Sequence, residues 1–229
     1  MKNLIPAFIL SILLTACNDK PKDQTVNMAS LSPEEQVAYK IAKASGIDNW
    51  GDVEELDFTF NVDRGENHMA RAWAWKTKTG DIVMKNPQDT VEYNRSQMDS
   101  LATTTDKGFI NDSFWLLAPY HLIWDKGSTS LTVQDTATAP MSKETLSKIT
   151  MVYGDQGGYT PGDAYDFYYD KDFIVKEWVY RRGNADAWSM VTSWEDYKDF
   201  SGLKIAETHN TEGNQVKLYF TDIAVKTED

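Results

Sequence analysis

The sequence predicts an α+β domain, mostly antiparallel β, and three observations carry that reading. Long stretches alternate apolar and polar residues with period two and are joined by tight turns. No strand–helix–strand spacing of a parallel sheet interrupts them. One nearly continuous apolar run, Asn111 to Tyr120, reads as a short helix, with cap-type Asn111, Asp112 and Ser113 at its start and Pro119 as its stop. Such a helix among half-buried strands covers the open face of a sheet, because that face must be buried against something.

The chain opens on a leader. Lys2 supplies positive charge, Leu4 to Leu14 form a short apolar segment, and the small residues Thr15 and Ala16 precede Cys17. That segment is shorter than the roughly 20 residues of a membrane span. Leu14-Thr15-Ala16-Cys17 resembles the lipobox of bacterial lipoproteins. The resemblance implies a signal peptide over residues 1–16 and lipidation at Cys17, hence a membrane partner through an acyl anchor. The alternative is an ordinary secretory signal with a chance cysteine. Asn18 resembles the pattern of lipoproteins sent on to an outer membrane, so the expected location is the bacterial cell envelope. Residues 17–31 read as the lipidated end and a polar tether without periodicity, and 32–229 as one domain.

Ser32-Pro33-Glu34-Glu35 opens a helix, with Ser32 as cap, Pro33 at the first position and Glu35 completing a capping box. Val37, Ile41 and Ala44 share one face, and Gly46 ends the helix. A single stripe of this kind packs on a sheet; the alternative is a membrane surface. Leu56 to Val62, Met69 to Lys76, Ile82 to Lys85 and Thr90 to Tyr93 read as strands, with a turn at Lys78–Asp81. After the central helix come Ser130 to Gln134, a loop around Pro140, and Lys148 to Tyr153. Then follow Tyr165 to Tyr169, Phe173 to Arg182, Trp188 to Trp194, Leu203 to His209 and Val216 to Val225.

Composition narrows the function. A net charge of −12 and a pI near 4.7 argue against a nucleic-acid partner, which requires a basic surface. One cysteine permits no internal disulfide. His68, His121 and His209 are scattered over three elements with no zinc spacing, and no nucleophile elbow is present. Glu54-Glu55 and Glu195-Asp196 are adjacent pairs whose side chains diverge into solvent. The glycine-rich acidic loop from Asp155 to Asp163 lacks EF-hand spacing and reads as a connection. No catalytic residue, metal ligand or cofactor is therefore expected. Asp163 and Tyr165 are expected to pair across a hairpin with Arg181 and Arg182.

Three segments carry a family resemblance: Phe109 to Pro119, Gly158-Tyr159-Thr160-Pro161-Gly162-Asp163-Ala164-Tyr165, and Trp194 to Phe200 with Leu203-Lys204-Ile205. Together they resemble a family of uncharacterised bacterial lipoproteins with a fold similar to the lipoprotein carriers LolA and LolB. The resemblance implies a strongly curved half-barrel sheet, closed by helices over an apolar cavity that takes an acyl chain or lipid. The arginine pattern characteristic of LolA is not found. Candidate ligand-binding residues are Trp73, Trp75, Phe114, Trp115, Leu117, Trp124, Trp178 and Trp194, since small-molecule pockets have apolar, aromatic walls. The bland reading of each aromatic is core filler. An open cavity lined by Trp73, Trp75 and Trp115 would mark a carrier, and a packed interior an anchored protein-interaction module.

Overall fold

In the computed structural model, which describes residues 26–156 and 160–228, the chain divides into two units, Met1–Ser30 and Leu31–Asp229. In the first, Asn27 caps a short turn at Met28–Ser30. The signal peptide, Cys17 and most of the tether lie outside the described residues.

The second unit begins with α1 (Pro33–Ala44), whose capping box forms as expected between Ser32 and Glu35. Its buried residues are Ala38, Ile41 and Ala42, so of the expected face Ile41 is buried while Val37 and Ala44 are half-buried. Gly46 ends it with φ of +93°, and its α-carbon lies so close to Gly202 that an added Cβ would sit 2.0 Å from the Gly202 carbonyl oxygen. Both conditions exclude a side chain. Gly46→Ala is expected to destabilise the domain by about 2–4 kcal/mol, read from urea unfolding midpoints.

The strands are β1 (Val53–Arg64), β2 (Asn67–Lys76), β3 (Asp81–Lys85) and β4 (Thr90–Asn94), then, after helix α2 (Ser100–Trp124), β5 (Thr129–Thr138), β6 (Thr145–Tyr153), β7 (Ala164–Tyr169), β8 (Val175–Arg181), β9 (Met190–Ser193), β10 (Glu195–Phe200), β11 (Leu203–Asn210) and β12 (Val216–Thr227). All pairings are antiparallel. Seven strands form one sheet in the order β10, β11, β12, β1, β2, β3, β4, and β5 to β9 form the other in sequence. A bridge between Thr192 and Thr211 joins the two, reinforced by the Asn210 amide donating to Ser193 Oγ (3.1 Å). The sheets curve without closing, which is the half-barrel expected, built as two abutting sheets.

Period two positions the core. Leu56, Phe58 and Phe60 on β1 point inward with Trp73 on β2 and Ile82 on β3, and α2 supplies Phe109, Leu116 and Tyr120 from the other side. β7 departs from its expected half-burial, because every residue in it is buried. The connection between β5 and β6 folds over its outer face. There Ala139 packs on Tyr168 and Val179, and the buried Glu177 carboxylate accepts the amides of Met141 and Ser142 at 2.7 Å each. β10 was not expected as a strand, since its charged sequence lacks a clean alternation, and such residues suit a sheet edge.

α2 is the main departure. It is 25 residues long, starts at an Asp99 cap that accepts from the Ala102 amide (2.8 Å), and contains Pro119. Proline removes one amide bond and crowds the carbonyl four residues earlier, so the helix kinks at Leu117 (φ −124°, ψ 22°) and continues to Trp124. Asp112, expected as a cap-type residue, lies in mid-helix and is fully buried. It accepts from Arg71 Nε (2.8 Å) and Nη2 (2.6 Å) and from Trp73 Nε1 (2.9 Å). Six residues earlier the buried Asp106 accepts from Arg95 Nε (3.0 Å) and the Tyr93 hydroxyl (3.0 Å). Two arginine–aspartate pairs thus fix the polar half of α2 to β2 and the end of β4.

Candidate functional site

Fixing α2 in this way determines which of its faces stays open. Lys107, Ile110, Asn111, Phe114, Trp115, His121 and Asp125 recur at spacings of three, four and seven, one side of a helix. They form one wall of a cleft of about 950 Å³. The opposite wall comes from inward positions of the five-stranded sheet: Tyr153 at the end of β6, Tyr165 on β7, Trp178 and Tyr180 on β8, and Met190 on β9.

The floor is a set of rings that fix one another. Tyr165 stacks on Trp178 and on Tyr180, each at 5.4 Å between ring centres. Phe114 reaches Tyr165 at 4.9 Å, and Trp115 meets the Trp178 ring at 4.4 Å, edge to face. Behind Trp115 lies His209, fully buried and 4.4 Å from the Trp194 ring. Burial depresses the His209 imidazolium to about 3, so the ring is neutral.

Where α2 ends, His121 Nδ1 lies 2.8 Å from Asp125 Oδ2, and the Tyr153 hydroxyl donates to the same oxygen. Burial alone would raise Asp125, but the His121 hydrogen bond and charge and the Tyr153 hydrogen bond outweigh it and lower the carboxyl. Burial, with that carboxylate, pushes the Tyr153 hydroxyl well above its usual value. The carboxylate is held ionised and the phenol protonated, so the trio ties α2 to β6. Ser128 lines the same cleft, but no hydrogen bond joins it to His121 among the described residues.

Of the eight candidate residues, Phe114, Trp115 and Trp178 line the cleft. The other five lie elsewhere. Trp73 is buried behind α2 on Asp112 and Phe109, and Trp75 packs on Phe109 and Trp50. Leu117 is in the core at the kink, Trp124 covers Trp50 and Tyr120, and Trp194 covers His209. Trp73, Trp75 and Trp115 therefore do not line one cavity; only Trp115 does.

The residues not anticipated are Ile110, Tyr153, Tyr180, Met190 and the polar rim. Tyr165 stood in a recognised segment, and its alternation on β7 was the available signal. The 107–111–114 stripe was hidden because the helix was expected to begin at Asn111. The hairpin pairing is corrected too. Arg181 binds Asp166 (Nε to Oδ2, 3.1 Å), whereas Asp163 accepts from the Tyr180 hydroxyl (2.8 Å) and the Gly183 amide (2.7 Å). Strand alternation puts Asp166 and Arg181 on the face away from Tyr165 and Tyr180. Among the described residues no cluster of three or more His, Cys, Asp or Glu is placed to hold a metal ion.

No protein-family model and no curated protein matches this chain. Among solved structures it is similar to a DUF1329 family protein from Desulfovibrio piger, at 9% identity with a TM-score of 0.51, over 86% of this chain and 94% of that one. It is also similar to a candidate outer membrane lipoprotein-sorting protein domain from Vibrio parahaemolyticus, at 10% identity with a TM-score of 0.48, over 86% and 93%. The first is a likeness of fold alone, and the second is weaker.

Proposed function

We propose that the chain is a cell-envelope lipoprotein, anchored through Cys17, that holds a hydrophobic ligand, an acyl chain or lipid, in this cleft without bond chemistry. The observation that carries the reading is the cleft itself. Its volume of about 950 Å³ lies at the top of the range for small-molecule sites, and its floor is aromatic with polar groups at the edge. Each buried methylene contributes about 0.8 kcal/mol, so one acyl chain suffices for useful affinity. The lipobox-like Leu14-Thr15-Ala16-Cys17 supports the anchor and the location, and the carrier-like segments support the ligand class. An anchored interaction module with a filled interior is the competing reading; the packing of Trp73 and Trp75 on Phe109 favours it, and the open cleft beside Phe114, Trp115 and Trp178 disfavours it.

The test is to express residues 18–229 in a bacterial periplasm, purify without detergent, extract with organic solvent and identify lipids by mass spectrometry. A stoichiometric lipid supports the reading. An empty protein that also fails to bind a lipophilic fluorophore overturns it. Phe114, half-buried on the cleft wall, is the gentlest probe of the floor. Phe114→Ala is expected to weaken fluorophore binding roughly tenfold or more, the equivalent of about 1.5–3 kcal/mol of lost apolar contact.

A further inference from the structure

The rim of the cleft runs against the charge of the rest of the molecule. The chain has 35 acidic and 23 basic residues. The cleft lining reverses this, with Arg95, Lys107 and Arg182 against one carboxylate, Asp125. Asp125 is already taken up by His121 and Tyr153. Arg95 is balanced by the buried Asp106. Two cations remain. Lys107 and Arg182 are exposed and make no ion pair among the described residues. Arg182 meets the Tyr180 side chain and feels the Asp163 carboxylate, but that carboxylate accepts from Tyr180 and Gly183 and forms no ion pair with it. Asn111 and Thr160 stand in the same lining, the Asn111 amide nitrogen already donating to Asp112 Oδ1 (2.9 Å).

We propose that the cleft takes a single-chain amphiphile with an anionic head group, its chain on Phe114, Trp115 and Trp178 and its head at the rim with Lys107 and Arg182. This rests on the ligand-binding reading above and narrows it to a substrate class. An acidic protein repels anions over most of its surface, so two cations without an ion pair beside an apolar slot select the place, and the head-group sign, that the field favours. Matching charge across a desolvated rim adds specificity beyond the burial of the chain. A carboxylate and a phosphate monoester share this chemistry.

The experiment compares palmitate, hexadecyl phosphate, hexadecanol and hexadecyltrimethylammonium, all below their micelle concentrations, by quenching of tryptophan emission. An anionic probe is expected to bind about tenfold more tightly than the alcohol, with the gap narrowing at high ionic strength. The tighter of the two anions identifies the source as a carboxylate or a phosphate. In K107Q/R182Q the anion and the alcohol are expected to bind equally. Equal affinity for anion and alcohol in the unaltered protein, or a preference that survives K107Q/R182Q, overturns the inference while leaving the ligand-binding reading intact. Binding of none of the four overturns that reading as well.

Discussion

Arg71→Met is expected to lower the unfolding free energy by about 3–5 kcal/mol, among the largest effects of any single substitution in the domain. The Asp112 carboxylate is fully buried and accepts two hydrogen bonds from the guanidinium, one from the Trp73 indole and one from the Asn111 amide (2.9 Å). Removing Arg71 leaves a charge in the interior with only two neutral donors, the Trp73 indole and the Asn111 amide, and the desolvation that the pair had offset is then uncompensated. The pairing also acts on Arg71, whose guanidinium is raised further by the Asp112 hydrogen bond. Replacing both partners is the discriminating control. R71M/D112L removes the charge together with its counter-charge, and most of the lost stability is expected to return, because an apolar pair of similar volume suits this interface. A double variant as unstable as R71M alone would show that the cost is packing against Phe60 and Trp73 rather than an orphaned carboxylate. Urea unfolding followed by tryptophan fluorescence reads both.

The same pair explains what was and was not legible in the sequence. Strands announce themselves through local period: Leu56, Phe58 and Phe60 alternate on β1, and so do Leu218 and Phe220 on β12. The Ser32–Glu35 cap is equally local, four residues long. Asp112 is different. In sequence it stands between asparagine and serine and looks like a helix start, whereas its burial depends on an arginine 41 residues earlier. Three threonines, Thr103 to Thr105, also masked the first half of α2 by their weak helix propensity. In the structure each hydroxyl bonds back to the carbonyl four residues before it. With the helix start misplaced by eleven residues, from Ser100 to Asn111, the stripe that begins at Lys107 could not be seen as a face. The cleft is therefore a product of tertiary register. The aromatic floor was legible in type, as tryptophans on strands and helix, but which of them meet was decided by how the two aspartates dock α2.

His209 links that floor to pH. It packs at 5.4 Å from Trp115, 4.4 Å from Trp194 and 5.9 Å from Phe220, and no hydrogen bond of normal geometry reaches either ring nitrogen among the described residues. Burial depresses its pKa from 6.5 to about 3, with the Ser193 backbone pulling weakly the other way. Below pH 6.5 the unfolded chain binds a proton at this residue and the folded chain does not, so stability falls as pH drops from about 6.5 towards 3 and is flat above that window. At pH 4.5 the loss from this one residue is about 2–3 kcal/mol, two units at 1.36 kcal/mol each. Carboxylates titrate over part of the same range, so the quantity to measure is a difference. His209→Phe keeps a ring against Trp115 and Trp194 and removes the ionisable group. Its unfolding free energy is expected to fall between pH 7 and pH 4.5 by about 2–3 kcal/mol less than that of the unaltered protein. Parallel pH profiles would mean that the imidazole reaches solvent and titrates in the folded state, and the wall formed by Trp115 would then be open from behind.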